Sequence, residues 1–173
     1  MDSLLKILKD QQKLKLSGNI YHKTQIELAY NSNRIEGSSL THEQTRYMFE
    51  TQTIDGTALV NDVIEMRNHF RLFDYMLETA ESKLSEQIIK EYHRILKLNT
   101  QDSDTGYFNA GEYKKLPNEV GGGITACPAE VPGKIRDLLD RYNAKEPHSI
   151  EDIIDFHYHF EKIHPFQDGN GRA

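Results

Sequence analysis

Cysteine is all but absent: Cys127 stands alone in 173 residues. One thiol cannot close an internal disulfide, and such sparing use suits a reducing compartment. Long apolar runs are missing as well; none approaches the roughly 18 residues of a membrane-spanning helix. The opening stretch, Met-Asp-Ser-Leu-Leu-Lys-Ile-Leu-Lys, is interrupted by Lys6 and does not read as a signal peptide. Positive charge is in deficit, 21 Lys and Arg against 27 Asp and Glu, for a net charge of −6. That balance does not steer a chain to DNA or RNA, although one basic pocket suffices for a nucleotide. A single cytoplasmic domain is expected, with neither nucleic acid nor membrane as partner. Hydrophobic residues, at 37%, allow a core without being generous.

What is present is mostly helical periodicity. Ser3 to Leu16 reads as an amphipathic helix stopped by Gly18, lying on its own domain or on a membrane surface. A second helix is expected from about Tyr21 to Ile35, closed by Gly37. Thr41 and Gln44 form a capping-box pattern that opens a third, through about Thr51. A long fourth runs from Ala58 to about Ala80, and Ser85 caps a fifth from Glu86 to about Leu98, with Ile88, Ile89, Tyr92, Ile95 and Leu96 inward. Glu112 to Cys127, with β-branched residues and three consecutive glycines, reads as a β-hairpin turning near Asn118 to Gly122. Its edge could pair with an extended peptide, or the segment could be a plain connector. Two more helices follow, from Val131 and from Ile150 to Ile163, the last with Ile153, Ile154, Phe156, His157, Phe160 and Ile163 inward. The class is all-α with one small hairpin.

The densest chemistry lies in the last ten residues, His164-Pro-Phe-Gln-Asp-Gly-Asn-Gly-Arg-Ala173. His164, a base poised near neutral pH, stands four residues before the carboxylate of Asp168. Gly169-Asn170-Gly171-Arg172 follows. Glycines let successive N–H groups converge into an anion nest. The arginine adds a planar, permanent charge suited to phosphate. Asp168 supplies the hard oxygen that Mg²⁺ prefers. A base, a metal ligand and a phosphate cradle point to group transfer from a nucleotide.

This stretch resembles the signature of the Fic family, His-Pro-Phe-x-Asp/Glu-Gly-Asn-Gly-Arg-x-x-Arg, and matches every specified position through Arg172. A second stretch, Ser32-Asn-Arg-Ile-Glu36-Gly37, is similar to the Ser/Thr-x-x-x-Glu-Gly/Asn inhibitory motif of that family. Taken alone, Glu36 reads as a surface carboxylate beside a capping glycine, at the disfavoured end of a helix dipole. The resemblance implies a Fic-type helical bundle with a flap, divided as an N-terminal helix (1–20), an inhibitory helix (21–40) and a catalytic core (41–173) without its C-terminal helices. It implies transfer of AMP from ATP, with Mg²⁺, to a Ser, Thr or Tyr hydroxyl of a target protein or of the chain itself. His164, Asp168, Asn170 and Arg172 would be catalytic. Gly169, Asn170, Gly171 and Arg172 would bind the nucleotide, and Asp168 the metal. Glu36, steadied by a hydrogen bond from Ser32, would bind the signature's final arginine and obstruct the γ-phosphate. Family members also differ in donor, and some remove AMP. The signature's final arginine would fall beyond Ala173, so the expectation is a truncated enzyme or a non-catalytic binding module.

Other candidates are weaker. His157, His159 and His164 match no common zinc spacing, and His157 reads as a packed core histidine. Cys127 lacks an adjacent base and reads as a buried structural thiol. Lys114 and Lys115 beside Tyr113 read as a solvated face or a nucleic-acid contact. The Asp102-Ser-Asp104 hint of a calcium loop fails because Tyr107 holds the position that needs glycine.

Overall fold

A computed structural model of the chain describes residues 3–14 and 16–173, and of Asp104 the main chain only. Met1, Asp2 and Lys15 of the N-terminal reading, and the Asp104 carboxylate, lie outside the described residues. Among those described there are seven α-helices: α1 (Leu4–Leu14), α2 (Ile20–Ile35), α3 (His42–Thr51), α4 (Val60–Thr79), α5 (Glu86–Lys97), α6 (Val131–Asn143) and α7 (Ile150–Ile163). One antiparallel hairpin joins β1 (Glu119–Val120) to β2 (Gly123–Ile124). None of the helices is long and apolar enough to cross a membrane.

The contacts divide into two compact units, residues 1–81 with 98–101, and residues 82–97 with 102–173. In the first, α1 to α4 pack on one another. Ala29, Leu40, Met48, Met66 and Phe70 form one cluster. Tyr21, Phe73 and Leu77 form another, against which Leu5 and Leu8 of α1 lie, so α1 packs on its own unit. The α3 start is the expected capping box, with the Thr41 hydroxyl accepting from the Gln44 N–H and the Gln44 side chain accepting from the Thr41 N–H. Glu36 caps α2 and is exposed, and no Ser32–Glu36 hydrogen bond forms among the described residues.

In the second unit, α5, α6 and α7 enclose Ile89, Val131, Ile135, Leu138, Leu139, Phe160, Ile163 and Phe166. Ser149 and Asp152 form the capping box that starts α7. Only one narrow stripe of α7 is covered: Phe160 and Ile163 are buried, whereas Ile153 and Ile154 are 51% and 63% exposed. His157 is exposed with them, so it is not the core histidine expected. It follows Phe156 by one residue, about 100° around the helix from the buried stripe. The hairpin is shorter than expected: Pro117 precedes its first strand, and Gly121 and Gly122, with φ of 57° and 77°, make the two-residue turn. Cys127 is exposed, not buried. It sits in the loop after the hairpin, where its N–H donates to Glu130.

Candidate active site

The end of α7 delivers His164 in a left-handed conformation, φ 50° and ψ 65°. That twist turns the chain sharply out of the helix, and Pro165 then forbids its continuation. The imidazole is mostly buried, and its Nδ1 has no hydrogen-bond partner among the described residues. Glu161 Oε2 stands 3.6 Å from it, beyond hydrogen-bond range.

Phe166 anchors the loop as expected. It is fully buried and stacks parallel on His93 of α5, ring centroids 3.9 Å apart. Asn170 closes the loop on itself. Its Oδ1 accepts from the Phe166 N–H at 2.7 Å and its Nδ2 donates to the Phe166 carbonyl at 2.9 Å. The side chain of Asn170 is therefore a loop clasp. Gly169, at φ 75°, needs glycine twice over: an added Cβ would also meet Leu96 Cδ2 and Lys97 Cδ at 3.3 Å.

Two residues of α5, one helical turn apart, hold Asp168 from beneath. His93, fully buried, accepts at Nδ1 from the Gly111 N–H at 2.8 Å. Its proton is thus on Nε2, which donates to the Asp168 carbonyl at 3.0 Å. Burial pushes the His93 pKa down to about 4, against the pull of the Asp168 main-chain oxygen. Lys97, also fully buried, donates to Asp168 Oδ2 at 2.7 Å and pairs with Asp102 Oδ2 at 2.6 Å. Arg172 Nη2 lies 3.6 Å from the same Asp168 oxygen, with its side chain 3% exposed. Burial raises the Asp168 pKa, but the Lys97 hydrogen bond and charge, with Arg172, hold it below the usual carboxylate range.

The hairpin segment is tied to the same loop. The Lys114 N–H donates to the Pro165 carbonyl at 2.8 Å. Asn118 Nδ2 donates to the Phe166 carbonyl at 3.0 Å, and the Leu116 N–H to Gln167 Oε1 at 3.2 Å. Lys114 is buried, which lowers its pKa, and its ammonium finds three acceptors: Asn118 Oδ1 and Thr125 Oγ1 at 2.7 Å and the Ile163 carbonyl at 3.3 Å. Lys114 is therefore a hairpin anchor, neither a solvated lysine nor a nucleic-acid contact. An open groove of about 810 Å³ runs beside β2, between α6 and α7, and reaches Ile163, the residue before His164.

So His164, Asp168, Gly169, Asn170, Gly171 and Arg172 form one turn, braced by α5 and by the base of the hairpin. The sequence model of the Fic/DOC family matches residues 83–173, more than half of the chain. The chain belongs to the Fic/DOC family. The chain is similar to the protein adenylyltransferase Fic of Nematostella vectensis, 28% identical over 151 residues, covering 83% of this chain and 34% of the relative. The protein of the same name from Aedes aegypti is 28% identical over 154 residues, covering 86% of this chain and 30% of the relative. The chain thus spans about a third of the length of these relatives. A Fic domain-containing signaling protein from Bacteroides thetaiotaomicron superposes with a TM-score of 0.78 at 31% identity, covering 98% of this chain and 68% of that one. A Fic family protein from Desulfovibrio desulfuricans shares the fold, with a TM-score of 0.75 at 23% identity over 99% of this chain and 55% of that one. Sequence reading missed His93, Lys97 and Lys114 as site-building residues. The signal was available for two of them: polar side chains at buried positions of an amphipathic helix, four residues apart.

Proposed function

We propose that this Fic domain transfers AMP from ATP to a Ser, Thr or Tyr hydroxyl of a target protein or of the chain itself, with release of pyrophosphate. The observation that carries the reading is the folded signature: an imidazole with an unoccupied ring nitrogen, followed within one turn by a braced carboxylate and a left-handed glycine. The name of the relatives, protein adenylyltransferase, supports the choice of AMP as the group moved.

His164 takes the proton of the incoming hydroxyl as its oxygen bonds to the α-phosphorus and the bond to pyrophosphate breaks. The N–H groups of Gly169, Asn170 and Gly171 receive phosphate oxygens, and Arg172 adds its permanent charge. The Asp168 carboxylate is half-exposed and held over the turn, a hard oxygen ligand of the kind Mg²⁺ takes alongside substrate phosphates. When bound there, Mg²⁺ supplies charge neutralisation to the phosphate oxygens and the leaving group. The open groove beside β2 is the place for the segment that carries the hydroxyl.

Glu36 is the regulatory part of this reading. Its carboxylate is exposed at the end of α2 that the helix dipole makes unfavourable for an anion, and none of the described residues forms an ion pair with it. In a chain carrying the signature's last arginine, Glu36 competes with ATP for that cation, and Glu36→Gly raises transfer there. Unchanged transfer would make Glu36 a surface residue.

The test of the reaction is label transfer from ATP labelled at the α-phosphate. His164→Ala should reduce incorporation by about 10²–10⁴-fold while nucleotide affinity, read by calorimetry, stays the same. Incorporation that survives the substitution would remove His164 from the reaction. Incorporation of label from the γ-phosphate instead would replace AMP transfer by phosphoryl transfer.

A further inference from the structure

Lys97 is the residue that the reaction scheme leaves unused. Its ammonium lies between Asp102 Oδ2, at 2.6 Å, and Asp168 Oδ2, at 2.7 Å, while both carboxylates remain half-exposed. It is not a surface lysine that swings away at little cost. The side chain is 0% exposed, and its stem lies directly under Gly169, where Cδ would be 3.3 Å from an added Cβ. Two carboxylates sharing one ammonium are, without it, a pair of hard oxygen donors that a divalent cation would take. With Lys97 in place and Arg172 Nη2 at 3.6 Å, the Asp168 carboxylate faces two positive groups. A free divalent ion approaching Asp168 meets two positive groups and one oxygen already engaged.

We propose that the Lys97 ammonium is a tethered counter-cation of Asp168, which keeps divalent metal off the signature carboxylate until a nucleotide brings its own phosphate oxygens. Metal therefore enters with the nucleotide and not ahead of it. Lys97 is a positioning residue: it fixes the carboxylate for the incoming complex and sets the order of loading. This rests on the reading of Asp168 as the residue that faces the metal–nucleotide complex. The electrostatic logic is general. A unit positive charge within a few ångströms of a metal position, partly shielded from water, opposes binding strongly, and its removal favours it.

Mn²⁺ serves as the probe, followed by electron paramagnetic resonance and calorimetry on the full chain. Without nucleotide, the parent protein should bind Mn²⁺ no tighter than about 1 mM, the weak end of oxygen-ligand sites. Lys97→Met keeps the apolar stem and removes the charge, and should tighten Mn²⁺ binding on the order of tenfold to a hundredfold. The gain should vanish when Asp168→Asn is added. A lysine with only a structural role would yield no such gain. Tight Mn²⁺ binding by the parent without nucleotide overturns the proposal without any variant, as does a folded Lys97→Met protein with unchanged affinity. With an ATP analogue that cannot release pyrophosphate, Asp168→Asn should lose the Mn²⁺ enhancement of nucleotide binding. Retention of that enhancement would overturn the reading of Asp168 itself, an outcome distinct from failure of the Lys97 step.

Discussion

Replacing His93 by Phe isolates the bracing of the signature loop from its packing. The phenyl ring keeps the parallel stack on Phe166, where the centroids are 3.9 Å apart, so the aromatic contribution of about 0.5–1.5 kcal/mol is largely retained. What disappears is a pair of hydrogen bonds, one from the Gly111 N–H at 2.8 Å and one to the Asp168 carbonyl at 3.0 Å. The Gly111 N–H is then left buried without that partner, and the Asp168 carbonyl part-buried without its own. A buried polar group deprived of its partner costs roughly 1–3 kcal/mol, so with two such groups the variant should lose about 2–6 kcal/mol of stability. With a urea slope of about 2 kcal/mol/M, the unfolding midpoint should fall by roughly 1–3 M. His93→Gln restores a donor and an acceptor without the ring and should recover part of the loss. Urea titration followed by circular dichroism measures all three proteins. A midpoint shift below about 0.3 M for His93→Phe, roughly 0.6 kcal/mol at this slope, would refute the bracing role. A Gln variant no better than the Phe variant would assign the loss to shape and not to hydrogen bonding.

Four further outcomes concern the signature loop, the hairpin and the start of α7. Gly169→Ala should cost roughly 1–2 kcal/mol for its left-handed backbone, more if Leu96 and Lys97 cannot yield, and thermal melting with nucleotide titration reads both effects. Lys114→Met removes a buried ammonium from three acceptors and should cost roughly 1–3 kcal/mol, with faster amide exchange at residues 119–124. Ser149→Ala removes the α7 cap and should cost about 1 kcal/mol by chemical denaturation. In the parent, Asp152 is held down to about 2, first by the Lys145 hydrogen bond and then by Ser149. A lowered carboxylate pKa gives stability that is complete above the unfolded value and lost as pH falls through the folded one. Amide protection at the start of α7 should therefore persist at pH 4 and fade as pH approaches about 2.

The elements that local chemistry dictates were legible in the sequence. The Thr41–Gln44 box and the Ser149 cap after Pro147 fix helix starts within a few residues, and the glycine run at 121–123 marks a tight turn. What the sequence hid depends on which neighbour covers which face. Ile153 and Ile154 carry the apolar periodicity of a buried helix, yet the packing covers only the stripe through Phe160 and Ile163. Cys127 is a residue type usually buried, and its position in a loop after the hairpin overrode that tendency. The signature residues themselves were readable because their chemistry is compressed into ten positions. Their supports were not, because His93 and Lys97 lie about seventy residues earlier. On α5, the apolar reading passed over both, although Ile89, His93, Leu96 and Lys97 share one buried face.

The left-handed backbone at His164 has an evolutionary edge. Histidine is a poor occupant of that region and glycine an easy one, a difference of roughly 1 kcal/mol in favour of replacement. A population of variants screened for folding alone would drift toward glycine or asparagine at position 164, gaining melting temperature as it lost its imidazole. Screens for thermal robustness in this fold thus run against the histidine where the helix turns, and a hardened scaffold that is to keep the proposed reaction must hold that residue by explicit constraint.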